Sequence, residues 1–342
     1  VDPDSALCCR GDRYLLRCLK LIHSNLVLQK HAMISRVFFL CSVLLSGCVS
    51  TPQTDQLLAG QAEDSSRHVS LIIEGVPFFP QNDYHCGPAA LATVLSASGL
   101  STVVPDDLVS KVYVPDRKGS FQVEMLAAAR SYGRIPYIIE PRLEHLIGEV
   151  QADNPVLVLQ NLGVSWYEVW HYAVVVGYDL SSEKLVMHSG EKKRRMTRLG
   201  VFEQTWQRSD YWGVILLKPG KLPRQVDEQK YFLSVVDFGR NNPAVDVEKA
   251  YQAGLERWPN SKIFGFALAN LHYDMGKLPE ALAGYRRLLT VAPDFAPAYN
   301  NLAQLLFELG EHTEAIAMAE QAVALGGPHA SMYQKTLDAL RQ

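Results

Sequence analysis

The chain has 342 residues, of which 48% are hydrophobic, 20% charged and 9% aromatic, and its net charge is −3. That length allows two domains, and the composition excludes collagen-like, wholly disordered and polytopic membrane classes. With no basic excess, nothing points to nucleic acid as a partner.

Residues 33–47 read as an export signal. Met33-Ile34-Ser35-Arg36 is followed by a nine-residue apolar run, Val37 to Leu45, and then Ser46-Gly47-Cys48. A membrane-spanning helix needs about 20 apolar residues, so the run is expected to be cleaved. Leu45-Ser46-Gly47-Cys48 resembles a lipobox, which implies that Cys48 becomes the diacylated first residue of a lipoprotein. Val49 in place of Asp after it implies the periplasmic face of a bacterial outer membrane. Residues 1–32 lie upstream of this complete signal and are expected to be an over-extended start. Residues 48–68, polar with Gln61-Ala62-Glu63-Asp64-Ser65-Ser66-Arg67, are expected to form a lipid-anchored, flexible tether.

Five of the six cysteines fall in the first 48 residues, leaving Cys86 as the single thiol of the folded part. Neither a disulfide framework nor a zinc site can be built from it. Val69 to Ile73 reads as a strand, and Asn82-Asp83-Tyr84-His85-Cys86-Gly87-Pro88 as a polar turn entering a helix, with Pro88 suited to a first turn. Unpaired N–H groups and the positive dipole end at that position are expected to lower the thiol pKa toward neutrality, as a nucleophile requires. Gln81 is placed to turn its amide toward the Cys86 backbone N–H and complete an oxyanion hole. Further along, Gly119-Ser120 is expected to open a helix with Ser120 as cap.

The base is expected at His171, which opens the buried-strand pattern His171-Tyr172-Ala173-Val174-Val175-Val176 after Trp166-Tyr167-Glu168-Val169-Trp170, the edge of an aromatic-lined groove. His85 should point away from its neighbour Cys86, and His188 lies on the next strand. Asp179 sits roughly 26 Å along the strand from His171, at about 3.3 Å per residue, near a hairpin tip at Ser181-Ser182. Pairing across that hairpin brings Ser189 or His188 beside His171. Pairing with Pro155 to Leu159 on the other side brings Gln160 or Asn161. Asn161 and Ser189 therefore stand together as candidates to orient the imidazole. Lys192-Lys193-Arg194-Arg195 reads as a solvated edge that discourages sheet pairing, with binding of an acidic substrate segment as the less favoured reading.

A shift of 34 residues in the last third aligns Leu271 with Leu305, Gly276 with Gly310, Ala281 with Ala315, and Pro259 with Pro293 and Gly327. Each unit describes a helical hairpin that must stack on its neighbours to bury its face, and the pattern resembles the tetratricopeptide repeat. Units over 262–295 and 296–329 are clear. A weaker one precedes them, with a poor first helix around Tyr231 to Phe238, and Pro328 to Leu340 reads as a capping helix. The array is a candidate surface for a protein partner.

Gln81, Cys86-Gly87-Pro88-Ala89-Ala90 and His171-Tyr172-Ala173-Val174-Val175 resemble the bacteriocin-processing, double-glycine leader peptidases, a papain-like cysteine peptidase family. The resemblance implies an α+β papain-like peptidase domain over residues 69–222, with Cys86 as nucleophile, His171 as base and Gln81 as oxyanion residue. An all-α tetratricopeptide-repeat array follows over 228–342. Lipoprotein signal, peptidase-like domain and repeats together also resemble a group of proteobacterial lipoproteins. The family usually places an Asp, followed by Pro, where this chain has Ser189.

The leading expectation is a periplasmic lipid-anchored cysteine peptidase acting on a peptide or protein substrate. The alternative is a catalytically silent, peptidase-like lipoprotein that recruits a partner through its repeats. Acyl transfer to an amine would use the same three residues. No Gly-x-x-x-x-Gly-Lys-Ser/Thr loop occurs, so no ATP site of that kind is expected, and the sequence calls for no cofactor or metal.

Overall fold

A computed structural model describes residues 50–63, 69–80, 85–164 and 166–342. The export signal, residues 1–32, Cys48 and Gln81 lie outside the described residues. Seven antiparallel strands form one sheet: β1 (Ser70–Ile72), β2 (Ile135–Ile138), β3 (Val156–Asn161), β4 (Trp170–Asp179), β5 (Lys184–Ser189), β6 (Lys192–Arg198) and β7 (Gly213–Leu217). Their order is β2-β7-β3-β4-β5-β6, with β1 pairing β4 past the end of β3. Val156, Leu157 and Val158, like Ala173 to Val176, are buried without alternation, as expected of strands covered on both faces. Gly177 meets a local demand: a Cβ there would lie 2.5 Å from the Leu71 carbonyl oxygen, so β1 could not approach β4 beside any other residue.

Among the described residues six α-helices belong to this half: α1 (Pro52–Glu63), α2 (Cys86–Ala97), α3 (Asp106–Val112), α4 (Gln122–Ser131), α5 (Leu143–Gln151) and α6 (Leu199–Gln207). Every residue of α2 from Gly87 to Leu95 is buried, the mark of a helix enclosed on all sides. It packs on β4, and its first residue is Cys86.

Residues 52–63, expected as part of a tether, instead form α1. Its N-terminal N–H groups at Gln53 and Thr54 donate to the two oxygens of Glu203, at 3.0 and 2.7 Å, and Leu57 is buried. A carboxylate from 150 residues away thus satisfies donors that a helix end leaves unpaired, a contact that local composition does not reveal. No described helix is long and apolar enough to cross a membrane.

The last third is a stack of helical hairpins: α7 (Glu228–Gly239) with α8 (Ala244–Arg257), α9 (Lys262–Asp274) with α10 (Leu278–Val291), and α11 (Ala296–Glu308) with α12 (His312–Leu325), closed by α13 (Ala330–Leu340). Gly276 and Gly310 turn their hairpins at φ of +70° and +83°, which glycine adopts without strain. The expected poor first helix is the complete helix α7. Its apolar positions Tyr231, Val235 and Phe238 are consumed by the sheet domain, joining the same buried cluster as β2 and β7, so they leave no repeat-like pattern to read. The connection is fastened by buried Glu149, which accepts N–H groups of Arg224 and Gln225, and by Asp227, which caps α7 at Lys230 N.

Candidate active site

Cys86 starts α2 and is partly buried. His85 before it packs edge-on against Tyr113, ring centroids 5.1 Å apart. The N–H groups of Tyr172, Gly87 and Cys86 itself favour a thiolate, yet burial outweighs them and pushes the Cys86 thiol above its ordinary value. This corrects the expected lowering: a helix end stabilises an anion, but removing it from water costs more here.

His171 lies near the start of β4, and its Nε2 is 3.0 Å from Ser189 Oγ on β5. Burial, and after it the Arg195 guanidinium, lower its pKa to about 4. Asn161 does not orient the ring: its Oδ1 accepts from Gly163 N and Val169 N, both at 3.0 Å. Gln160, opposite His171 in the ladder, donates to Thr205 Oγ1. His188 is buried between Val76 O and Arg194 N. Asp179 closes the β4–β5 hairpin tip, accepting from Ser181 and Ser182, which holds its carboxyl down at about 2.

The structure therefore brings Cys86 against the backbone N–H of the residue that follows His171, and Ser189 against the imidazole. Among the described residues no hydrogen bond joins thiol and imidazole directly. Such contacts often close only when substrate binds.

Cys86 opens onto a cavity of about 770 Å³ whose walls include Ser120, Phe121, Tyr167, Trp170 and Tyr172. Ser120 does not cap α4, which follows Phe121. Its carbonyl accepts from Tyr172 Oη, and its Oγ is buried with no partner among the described residues. A Cβ on Gly87 would lie 2.2 Å from that oxygen, so glycine is required there for the 119–121 turn to reach the thiol. Sequence reasoning assigned neither Ser120 nor Tyr172 to the site, because only the fold brings the segment around 120 back to Gly87. The Lys192–Arg195 run lies on edge strand β6 and is exposed, with Arg194 paired to Glu74.

One prediction follows from the electrostatics. In the full chain, iodoacetamide labelling of Cys86, read on its own peptide by mass spectrometry, is expected to rise with pH at an inflection above 9, the ordinary thiol value. Ser189→Asp sets a carboxylate beside Nε2, favours the imidazolium, and is expected to bring the inflection down by about 1–2 units.

Residues 73–214 match the Peptidase_C39 like family and residues 266–330 the tetratricopeptide repeat. A solved C39-like peptidase from Bacillus anthracis is 19% identical, covering 44% of this chain and 98% of its own, with a TM-score of 0.36. The TPR2B domain of yeast Sti1, solved as a complex with pHsp70, is 18% identical over 34% of this chain and 96% of its own, with a TM-score of 0.32. The type III secretion translocator chaperone SycD of Yersinia enterocolitica is 17% identical over 34% of this chain and 87% of its own, also at 0.32. No curated protein matches the chain.

Proposed function

From a chain that carries a Peptidase C39-like domain followed by tetratricopeptide repeats, we propose a cysteine peptidase whose nucleophile is Cys86 and whose base is His171. The observation that carries the reading is the Cys86 thiol at the start of α2, against the Tyr172 N–H, one residue from an imidazole held by Ser189.

With the thiol pushed up and the imidazole pushed down, the pair rests neutral, and proton transfer accompanies attack. As Sγ bonds to the peptide carbonyl carbon, the nitrogen not engaged by Ser189, Nδ1, takes the thiol proton. The Cys86 N–H, with Gln81 as its proposed companion, receives the oxyanion. Collapse breaks the C–N bond, and the leaving amine takes the proton from Nδ1. Water then attacks the thioester, giving its proton to Nδ1. The carboxylic acid departs and the proton returns to sulfur.

The test is hydrolysis of fluorogenic casein by the full chain, with Cys86→Ser as control. Turnover that survives in Cys86→Ser would overturn the assignment. For location we propose a lipid anchor at Cys48 on the periplasmic side of an outer membrane, supported by the lipobox-like Leu45 to Cys48. Cys48→Ala is expected to move the protein from the membrane fraction to the soluble one and to abolish radiolabelled palmitate incorporation.

A second reading, a silent domain serving as scaffold, is favoured by one observation: Ser189 stands where a carboxylate would support the imidazolium, and the charge that acts on the ring, the Arg195 guanidinium, opposes it. In that case the repeats carry the function. Asn270 Oδ1 there accepts from Tyr285 Oη and Asn301 Nδ2, beside a small polar cavity of about 300 Å³. An inert wild-type chain in the casein assay selects this reading.

A further inference from the structure

The described residues of the β3–β4 connection, 162–164 and 166–169, expose apolar surface in a way that ordinary loops do not. Trp166 is 85% exposed and Tyr167 70%, and Trp170, which opens β4, is 47% exposed. Phe121, 44% exposed, also lines the Cys86 cavity. Contiguous apolar exposure of this kind marks interaction sites on soluble proteins, and tyrosine and tryptophan are the residues enriched at them.

Little apolar packing holds this connection, and polar contacts set its shape. Asn161 Oδ1 ties Gly163 N to Val169 N. Arg208 reaches the carbonyls of Asn161 and Gly163, and Val164 pairs with Tyr167 as an isolated bridge. Trp170 Nε1 donates to Glu168. Gly163 is obligatory, since a Cβ would sit 2.0 Å from the Tyr167 carbonyl oxygen. The backbone that carries Tyr167 and the Trp170 ring is thus held by contacts of its own before anything binds, which lowers the ordering cost that binding would otherwise carry.

We propose that this connection is a preformed aromatic clamp that seats an apolar segment of a peptide, one with aromatic or large aliphatic side chains, against the scissile bond at Cys86. The assignment of substrate class rests on the peptidase reading above. Its placement decides for a peptide over a lipid surface: Tyr167 and Trp170 line the same cavity as the thiol.

The experiment separates clamp from catalysis by measuring binding in a chain that cannot turn over. Full-chain Cys86→Ser is titrated with two fluorescein-labelled decapeptides, one carrying Phe, Leu and Tyr at alternate central positions and one with Ser at each of them, and anisotropy is read. The apolar peptide is expected to bind at least about 10-fold tighter. Trp166→Ser and Tyr167→Ser should each erase most of that ratio. Gly163→Ala, which alters no aromatic, should reduce it by displacing the 167 carbonyl.

Equal affinity for the two peptides overturns the proposal, as does a ratio that survives all three loop variants. Co-sedimentation with phosphatidylethanolamine–phosphatidylglycerol vesicles that is lost in Trp166→Ser, without any peptide preference, would overturn it in favour of a bilayer. Apolar binding in Cys86→Ser combined with no casein turnover by the wild-type chain would sink the peptidase reading and leave the clamp standing. Casein turnover without apolar preference would do the reverse.

Discussion

Replacing His171 with alanine is expected to lower kcat for peptide hydrolysis by about 10²–10⁴-fold, the usual contribution of a positioned general base, while KM changes little. Among the described residues neither neighbouring imidazole is free to substitute. His85 is committed to Tyr113, and His188 is held between Val76 O and Arg194 N. With the thiol pushed up and the imidazole pushed down by burial, the proposed mechanism keeps no standing thiolate, and without the base the thiol would have to ionise on its own against burial. Iodoacetamide labelling above pH 9, where hydroxide does that work, should therefore be nearly unchanged in His171→Ala even as peptide turnover collapses. Ser189→Ala keeps the base and removes only its hydrogen bond, and its kcat is expected to fall between the two. Steady-state kinetics on a fluorogenic peptide check the series, and a wild-type kcat in His171→Ala would remove this residue from the mechanism.

The largest stability effect is expected at Phe264, on the first helix of the first clear repeat. Phe264→Ala should cost about 3–5 kcal/mol, the range for deleting a buried phenylalanine ring. The ring is fully buried, lies parallel to Trp258 at 5.6 Å, and meets Tyr231, Phe232 and Tyr251. Gly254 faces it so closely that a Cβ would fall 2.4 Å from the ring, so α8 has been cut away to admit it and no neighbour can swing in to fill the void. Phe264 and Tyr231 belong to the same cluster as the sheet strands, so the loss should appear as one shifted denaturation transition of residues 51–342 rather than as melting of the repeats alone. Phe307→Ala, at a 37% exposed ring, is the control and should shift the midpoint far less. A Phe264→Ala shift below about 1 kcal/mol would contradict the packing argument.

How much of this was readable beforehand varied with the range of the forces involved. The two-part architecture was legible because its signals are local and periodic: a 34-residue self-similarity, and a Cys-Gly-Pro helix start followed far downstream by a His-led buried strand. The split between Asn161 and Ser189 was not, since both positions reach His171 by register alone. It took the capping of Gly163 and Val169 to occupy one and the 3.0 Å contact to occupy the other. The thiol's upward shift was also hidden, because a helix terminus is visible in sequence whereas the depth at which the fold buries it is not. Helix α1 was missed for a related reason: polar, unpatterned residues became ordered through Glu203 and Gln53, contacts about 150 and 90 residues long.

The strand order carries a consequence for how the chain acquires its shape. β7 is the last strand of the sheet in sequence and lies between β2 and β3 in space. Until residue 217 has been synthesised, β2 has no strand to pair with and β3 has only one flank filled. The nascent first half therefore remains an open hairpin-and-meander with unpaired inner edges, and closure waits on contacts of long sequence separation, which form slowly. A chain built this way cannot complete its sheet until β7 has been made, and it commits to the native strand order in one late step.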